Sequence, residues 1–105
     1  MSGHEVTEQS FQEGLEATLA QVAPLFVEQT APLSAYQLHF IRAICSGYHA
    51  DFGKKVVTGK FELGSRSNLP KLQKALVERE IIEVTESGIY LADPLFAYWF
   101  RHEMM

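Results

Sequence analysis

Leu63-Gly64-Ser65-Arg66-Ser67-Asn68-Leu69-Pro70-Lys71-Leu72-Gln73-Lys74-Ala75-Leu76, followed shortly by Ile81-Ile82-Glu83-Val84-Thr85-Glu86-Ser87-Gly88-Ile89-Tyr90-Leu91, is the stretch whose reading decides the fold. Leu69, Leu72 and Leu76 recur at intervals of three and four, the spacing that lines side chains along one stripe of a helix. Pro70 falls in the first turn, where its missing donor has no intrahelical partner in any case, and Ser65 and Ser67 are alternative N-caps. Arg66, Asn68, Lys71, Gln73, Lys74 and Glu78 are left facing outward. The two β-prone runs after the helix are joined by Thr85-Glu86-Ser87-Gly88, whose glycine can take positive φ, so they read as a hairpin.

Beyond the hairpin, Asp93-Pro94 is a cap followed by proline at the first helical position. It opens a last helix in which Leu95, Phe96, Tyr98, Trp99 and Phe100 crowd a large apolar area into two turns, the density of a core element. Asp93, Pro94, Phe96, Trp99 and Phe100 are therefore read as structural anchors, with Trp99 expected to lie against the second helix and the hairpin.

Upstream, Pro32-Leu33-Ser34 marks a boundary, and Ser34 with Gln37 has capping-box spacing. A helix from about Ala35 to Ser46 follows, with Leu38, Ile41, Ile44, Cys45 and Tyr48 on one face and Gly47 as its stop. Phe11, Leu15, Leu19, Val22 and Phe26 predict an earlier helix from about Thr7 to Val22 or beyond, expected to kink or break near Gln21–Ala23 because of Pro24. Between residues 50 and 64, Gly53, Gly59 and Gly64 interrupt the pattern and Val56-Val57-Thr58 favours extended backbone, so only a short helix around Thr58–Leu63 is expected. The whole is a mainly α chain with a small β-wing: a winged helix-turn-helix over residues 34–105, with residues 1–33 as an N-terminal helical extension packed into the same unit.

Composition bounds the function. With 105 residues, 47% of them hydrophobic, there is material for one modest core and none for a second catalytic domain. No apolar run reaches the roughly 20 residues of a membrane span, and Met1-Ser2-Gly3-His4-Glu5 has neither part of a signal peptide, so a cytoplasmic chain without a membrane partner is expected. The single cysteine, Cys45, falls on a helical apolar face and reads as a structural thiol. His39 and His49 have no Cys or carboxylate at ligand spacing, so no metal site is expected. Gly53–Phe61 imitates a phosphate loop, but its glycine spacing is one residue too long and Phe61 stands where Mg²⁺ needs Ser or Thr.

The net charge of −4 is unevenly spread. Residues 1–41 carry five glutamates and no Lys or Arg, residues 42–79 carry a net +5, and residues 80–105 a net −4. Lys54, Lys55, Arg66, Asn68, Lys71 and Lys74 are thus the candidate contacts for nucleic acid or a partner protein. The hairpin tip brings Glu86 and no base, which would repel a phosphate backbone.

Several of these segments resemble the C-terminal winged-helix region of a family of prokaryotic AAA+/STAND-like P-loop ATPases. The resemblance covers about residues 15–102 and is carried by Leu25-Phe26 ahead of Leu33-Ser34, Leu63-Gly64-Ser65-Arg66-Ser67-Asn68, and Ala75-Leu76-Val77-Glu78-Arg79-Glu80-Ile81-Ile82-Glu83. Its most specific part is the ending Leu91-Ala92-Asp93-Pro94-Leu95-Phe96-Ala97-Tyr98-Trp99-Phe100-Arg101. It implies a nucleotide-binding domain preceding this region in a longer parent protein, with ATP and Mg²⁺ bound there and no cofactor here. On that reading the chain is an excised, non-catalytic regulatory or interaction module docking on its parent ATPase domain or on another protein. The other reading is a DNA-binding winged-helix regulator. No paired carboxylates, Cys/His arrangement or metal cluster points to an autonomous enzyme.

Overall fold

The computed structural model describes the backbone from Glu8 to Met105 and side chains from Glu13 onward. The elements run α1 (Glu8–Thr30), α2 (Ala35–Cys45), α3 (Lys55–Phe61), a 3₁₀ turn (Arg66–Asn68), α4 (Leu69–Glu78), β1 (Ile82–Thr85), β2 (Gly88–Leu91) and α5 (Pro94–Glu103). The described chain is thus mainly helical, with one small two-stranded antiparallel sheet.

At the centre is α2, which packs against α3, α4, α5 and β2. Its start is fixed as the sequence predicts: Gln37 N–H donates to Ser34 Oγ at 3.2 Å, and Ser34 N–H donates to Gln37 Oε1 at 2.9 Å. Gly47, at φ 103°, lets the chain leave the helix. The buried face is wider than the stripe expected from Leu38, Ile41 and Ile44. Phe40 and Ala43 are also fully buried, and Phe40 stacks on Phe52 at 4.6 Å. Cys45 and Tyr48 are only half-buried.

Three local expectations are corrected. The break expected at Gln21–Ala23 does not occur, and α1 continues through Pro24 to Thr30. Proline deprives the Ala20 carbonyl of its helical donor, but Ala20 is exposed, so water can meet that carbonyl. The continuation is secured by Phe26, buried in the core, and by Thr30, whose hydroxyl donates to the Phe26 and Val27 carbonyls at 3.0 and 3.1 Å. The expected start at Thr7 lies outside the described residues, as does the side chain of Phe11.

The helix expected at Thr58–Leu63 instead spans Lys55–Phe61 and takes in Val56-Val57-Thr58. Burial of Val57 and Phe61, four residues apart on one face, outweighs the β-preference of the branched residues. Finally, neither Ser65 nor Ser67 caps α4. Their hydroxyls bond each other at 3.0 Å, a 3₁₀ turn intervenes, and Asn68 precedes α4 without a side-chain cap. Pro70 does sit in the first turn.

Leu69, Leu72 and Leu76 are buried as expected, each worth about 1.5–3 kcal/mol of transfer free energy. The hairpin pairs Ile82 with Leu91, Glu83 with Tyr90, Val84 with Ile89 and Thr85 with Gly88 around the loop Glu86-Ser87. Asp93 caps α5, its carboxylate accepting from Leu95 N–H at 2.9 Å, and Pro94 takes the first helical position. Phe96, Trp99 and Phe100 are buried, as anchors should be. The helix that carries Trp99 packs on α2 and β2, as expected, and also on α1, where Phe26 lies 5.6 Å from Trp99 and is, among the described residues, its aromatic partner outside α5. Phe26 also meets Phe96 edge-on at 5.3 Å.

Candidate partner or nucleic-acid interface

The 3₁₀ turn and α3 place the cationic residues in two groups. Arg66 runs against the backbone of Gly53: a Cβ there would lie 2.9 Å from Arg66 Nε, so the bare glycine makes room for the arginine stem. Lys54 follows immediately as the N-cap residue of α3, and Lys55 is that helix's first residue. Lys54 Nζ stands 3.8 Å from an Asp51 carboxylate oxygen, but both side chains are about two-thirds exposed, so water screens the pair and it adds little stability. Lys71 and Lys74 are exposed on α4, away from the buried Leu72 and Leu76. Asn68 is half-buried at the end of the 3₁₀ turn, and Gln73, expected outward, is half-buried too.

Gln73 is half-buried because it lines a groove. The loop His49–Gly53, the first turns of α4 and the hairpin tip enclose a cleft of about 320 Å³. Its charged members are Asp51 and Glu86, and none of Lys54, Lys55, Arg66, Asn68, Lys71 or Lys74 lines it. The lining of the hollow between α4 and the hairpin therefore carries two carboxylates, while Lys54, beside Asp51, and Arg66, packed on Gly53, stand at its edge. Asp51, which sits at φ 61°, gave no sequence signal of this placement.

Sequence reading also missed what joins the hairpin to the helices. Ile89 N–H donates to the His49 carbonyl at 2.8 Å, and His49 Nδ1 lies 2.9 Å from the Ile89 carbonyl. A carbonyl only accepts, so His49 must carry its proton on Nδ1 to make the second bond. The imidazole also stacks on Tyr90 at 4.3 Å. One backbone and one side-chain hydrogen bond thereby tie His49 to β2. Gly88 lies so close that a Cβ there would be 2.7 Å from the His49 carbonyl oxygen. His39 does similar work, its Nδ1 lying 2.9 Å from the carbonyl of Glu62, the left-handed residue that ends α3.

Cys45 is half-buried, and burial pushes its thiol pKa up against the opposing pull of the Arg101 guanidinium beside it. That disfavours the nucleophilic thiolate. Among the described residues, no three His, Cys, Asp or Glu side chains are grouped to hold a metal ion, and no helix is long and apolar enough to cross a membrane. No protein-family model matches the chain, and searches of curated proteins and of solved structures found no significant match.

Proposed function

We propose that this chain is a non-catalytic winged helix-turn-helix module that works by docking on a protein, as the C-terminal regulatory domain of a cytoplasmic P-loop ATPase. The winged-helix reading is supported by the order α2, α3, α4, hairpin, with α4 in the position of a recognition helix and His49 bridging to the hairpin. The ATPase parentage rests on the sequence resemblance alone. The observation that carries a protein partner over a nucleic acid is the charge of the cleft between α4 and the hairpin. A duplex phosphate backbone entering it would meet Glu86, which pairs with no base among the described residues, and Asp51, whose cationic neighbour is the water-screened Lys54 at 3.8 Å. In this proposal ATP and Mg²⁺ belong to the parent's nucleotide-binding domain, and this module passes nucleotide state into contacts by favouring one docked arrangement.

A DNA-binding reading is supported by one specific observation, the gathering of Arg66 with Lys54 and Lys55, with Lys71 and Lys74 exposed on the next helix. Titrating a fluorescent duplex at low and physiological salt separates the two. The docking reading expects affinity no better than about 10⁻⁴ M at physiological salt, the weak end of nonspecific binding. Tight binding that falls with log salt at a slope of about −4, as for four or five neutralised phosphates, and that is abolished by Lys71→Glu with Lys74→Glu, would replace it with the DNA-binding reading.

A further inference from the structure

A second surface lies away from α4 and the hairpin, where α1 and α5 leave a groove of about 550 Å³ between them. Along α1 it is lined by Ala20, Ala23 and Val27, which form a second apolar stripe beside the one that buries Phe26. Tyr98, Trp99, His102 and Glu103 form its wall on α5. Val27 is 54% exposed, so a branched apolar side chain is held in water on a well-formed helix. The two alanines leave the α1 backbone open to close approach, and from Glu16 to Val27 the stripe runs about 17 Å, or three helical turns. Those are the dimensions of a seat for one more helix.

Charge identifies what would sit there. Among the described residues the groove's carboxylates are Glu16 and Glu103; His102, packed on Tyr98 at 4.3 Å, lines it too, and no Lys or Arg does. Residues 13–41 hold no base at all. Pairing with α1 of a second copy would set glutamate against glutamate, and an anionic membrane surface would be repelled in the same way. We infer that the α1/α5 groove receives an amphipathic helix of a partner protein, whose apolar face covers Ala20, Ala23, Val27 and the edge of Trp99 and whose flanking Lys or Arg residues meet Glu16 and Glu103. This site is separate from the cleft beside the hairpin and stands whether or not that cleft docks on an ATPase.

Trp99 lines the groove but is only 5% exposed, so binding is read from the fluorescence anisotropy of a dye-labelled peptide and not from tryptophan emission. The test uses the full chain and two synthetic 18-residue helical peptides with the same Leu/Ala face, one flanked by lysines and one by glutamates. The labelled lysine peptide is expected to rise saturably in anisotropy and to bind at least about tenfold more tightly than the glutamate peptide. Val27→Lys should weaken it about tenfold or more with little change in thermal melting, since Val27 is largely exposed. The double variant Glu16→Lys, Glu103→Lys, altering two exposed side chains, should reverse the preference between the peptides. Equal binding of both peptides, binding of neither, or indifference to Val27→Lys would overturn the proposal. So would a dimer in sedimentation that Val27→Lys dissociates, or capture by vesicles rich in phosphatidylserine.

Discussion

Replacing Gly88 by alanine tests the seam between hairpin and helices. Two independent penalties arise there. Gly88 has φ 143°, a backbone conformation that side-chain-bearing residues rarely adopt, and forcing one into it costs about 1–3 kcal/mol. The new Cβ would also stand 2.7 Å from the His49 carbonyl oxygen and 3.0 Å from His49 Cβ. Neither can yield without moving the strand away from His49. That movement stretches the Ile89–His49 pair of hydrogen bonds, each worth about 0.5–1.5 kcal/mol net. Together the substitution should destabilise by about 2–4 kcal/mol, or about 10–25 °C in Tm for a chain of this size. Gly59→Ala is the matched control. Gly59 lies inside α3 with nothing within 4 Å of where a Cβ would stand, so alanine there should stabilise by up to about 1 kcal/mol. Urea unfolding followed by circular dichroism measures both. If Gly88→Ala stays within about 0.5 kcal/mol of the parent, the claim that His49 and β2 are stitched together is wrong.

Three other outcomes are expected. Trp99→Ala should cost about 3–5 kcal/mol in urea unfolding because it removes the cover from Phe26 and Phe96, and a loss below about 1 kcal/mol would mean that the aromatic cluster is loose. Cys45 should resist iodoacetamide near neutral pH. Its folded pKa is raised above that of an unfolded thiol, about 8.5, so this group's contribution to stability is complete below that value and is lost as pH rises through the folded pKa. An alkylation profile that coincides with that of free cysteine would contradict this. Calorimetry with Mg-ATP should give no heat of binding, since Gly53–Phe61 forms a turn and the helix α3 and lacks the phosphate-loop spacing; micromolar affinity lost on Lys60→Ala would refute it.

What was legible in the sequence was what is local. Ser34 with Gln37, Asp93 with Pro94, and Gly88 at the turn each signal through neighbours a few residues away, and each appears as read. Misreadings arose where distant packing decided the outcome. Nothing next to Val56-Val57-Thr58 reveals that Val57 and Phe61 have a core waiting for them. Nothing around Pro24 reveals that Phe26 is clamped by rings from the opposite end of the chain. For the candidate interface, the pattern of Leu69, Leu72 and Leu76 exposed Lys71 and Lys74 correctly, because helical phase alone settles it. The direction of the cleft was hidden, since Asp51 reaches it by a left-handed backbone turn and His49 by pairing with a residue forty positions away.

The contact between Phe26 and Trp99 joins the first helix to the last, which makes the two ends of the chain a clasp. Such a contact closes a long loop, so its entropic cost should be met late in folding, after α2, α3, α4 and the hairpin have gathered. The clasp should accordingly be the first feature to open under mild denaturant. Trimming either end would have the same effect: loss of α5 strips Phe26, and loss of α1 strips Trp99. Each terminal helix is the other's only aromatic cover among the described residues, so neither behaves as an appendage.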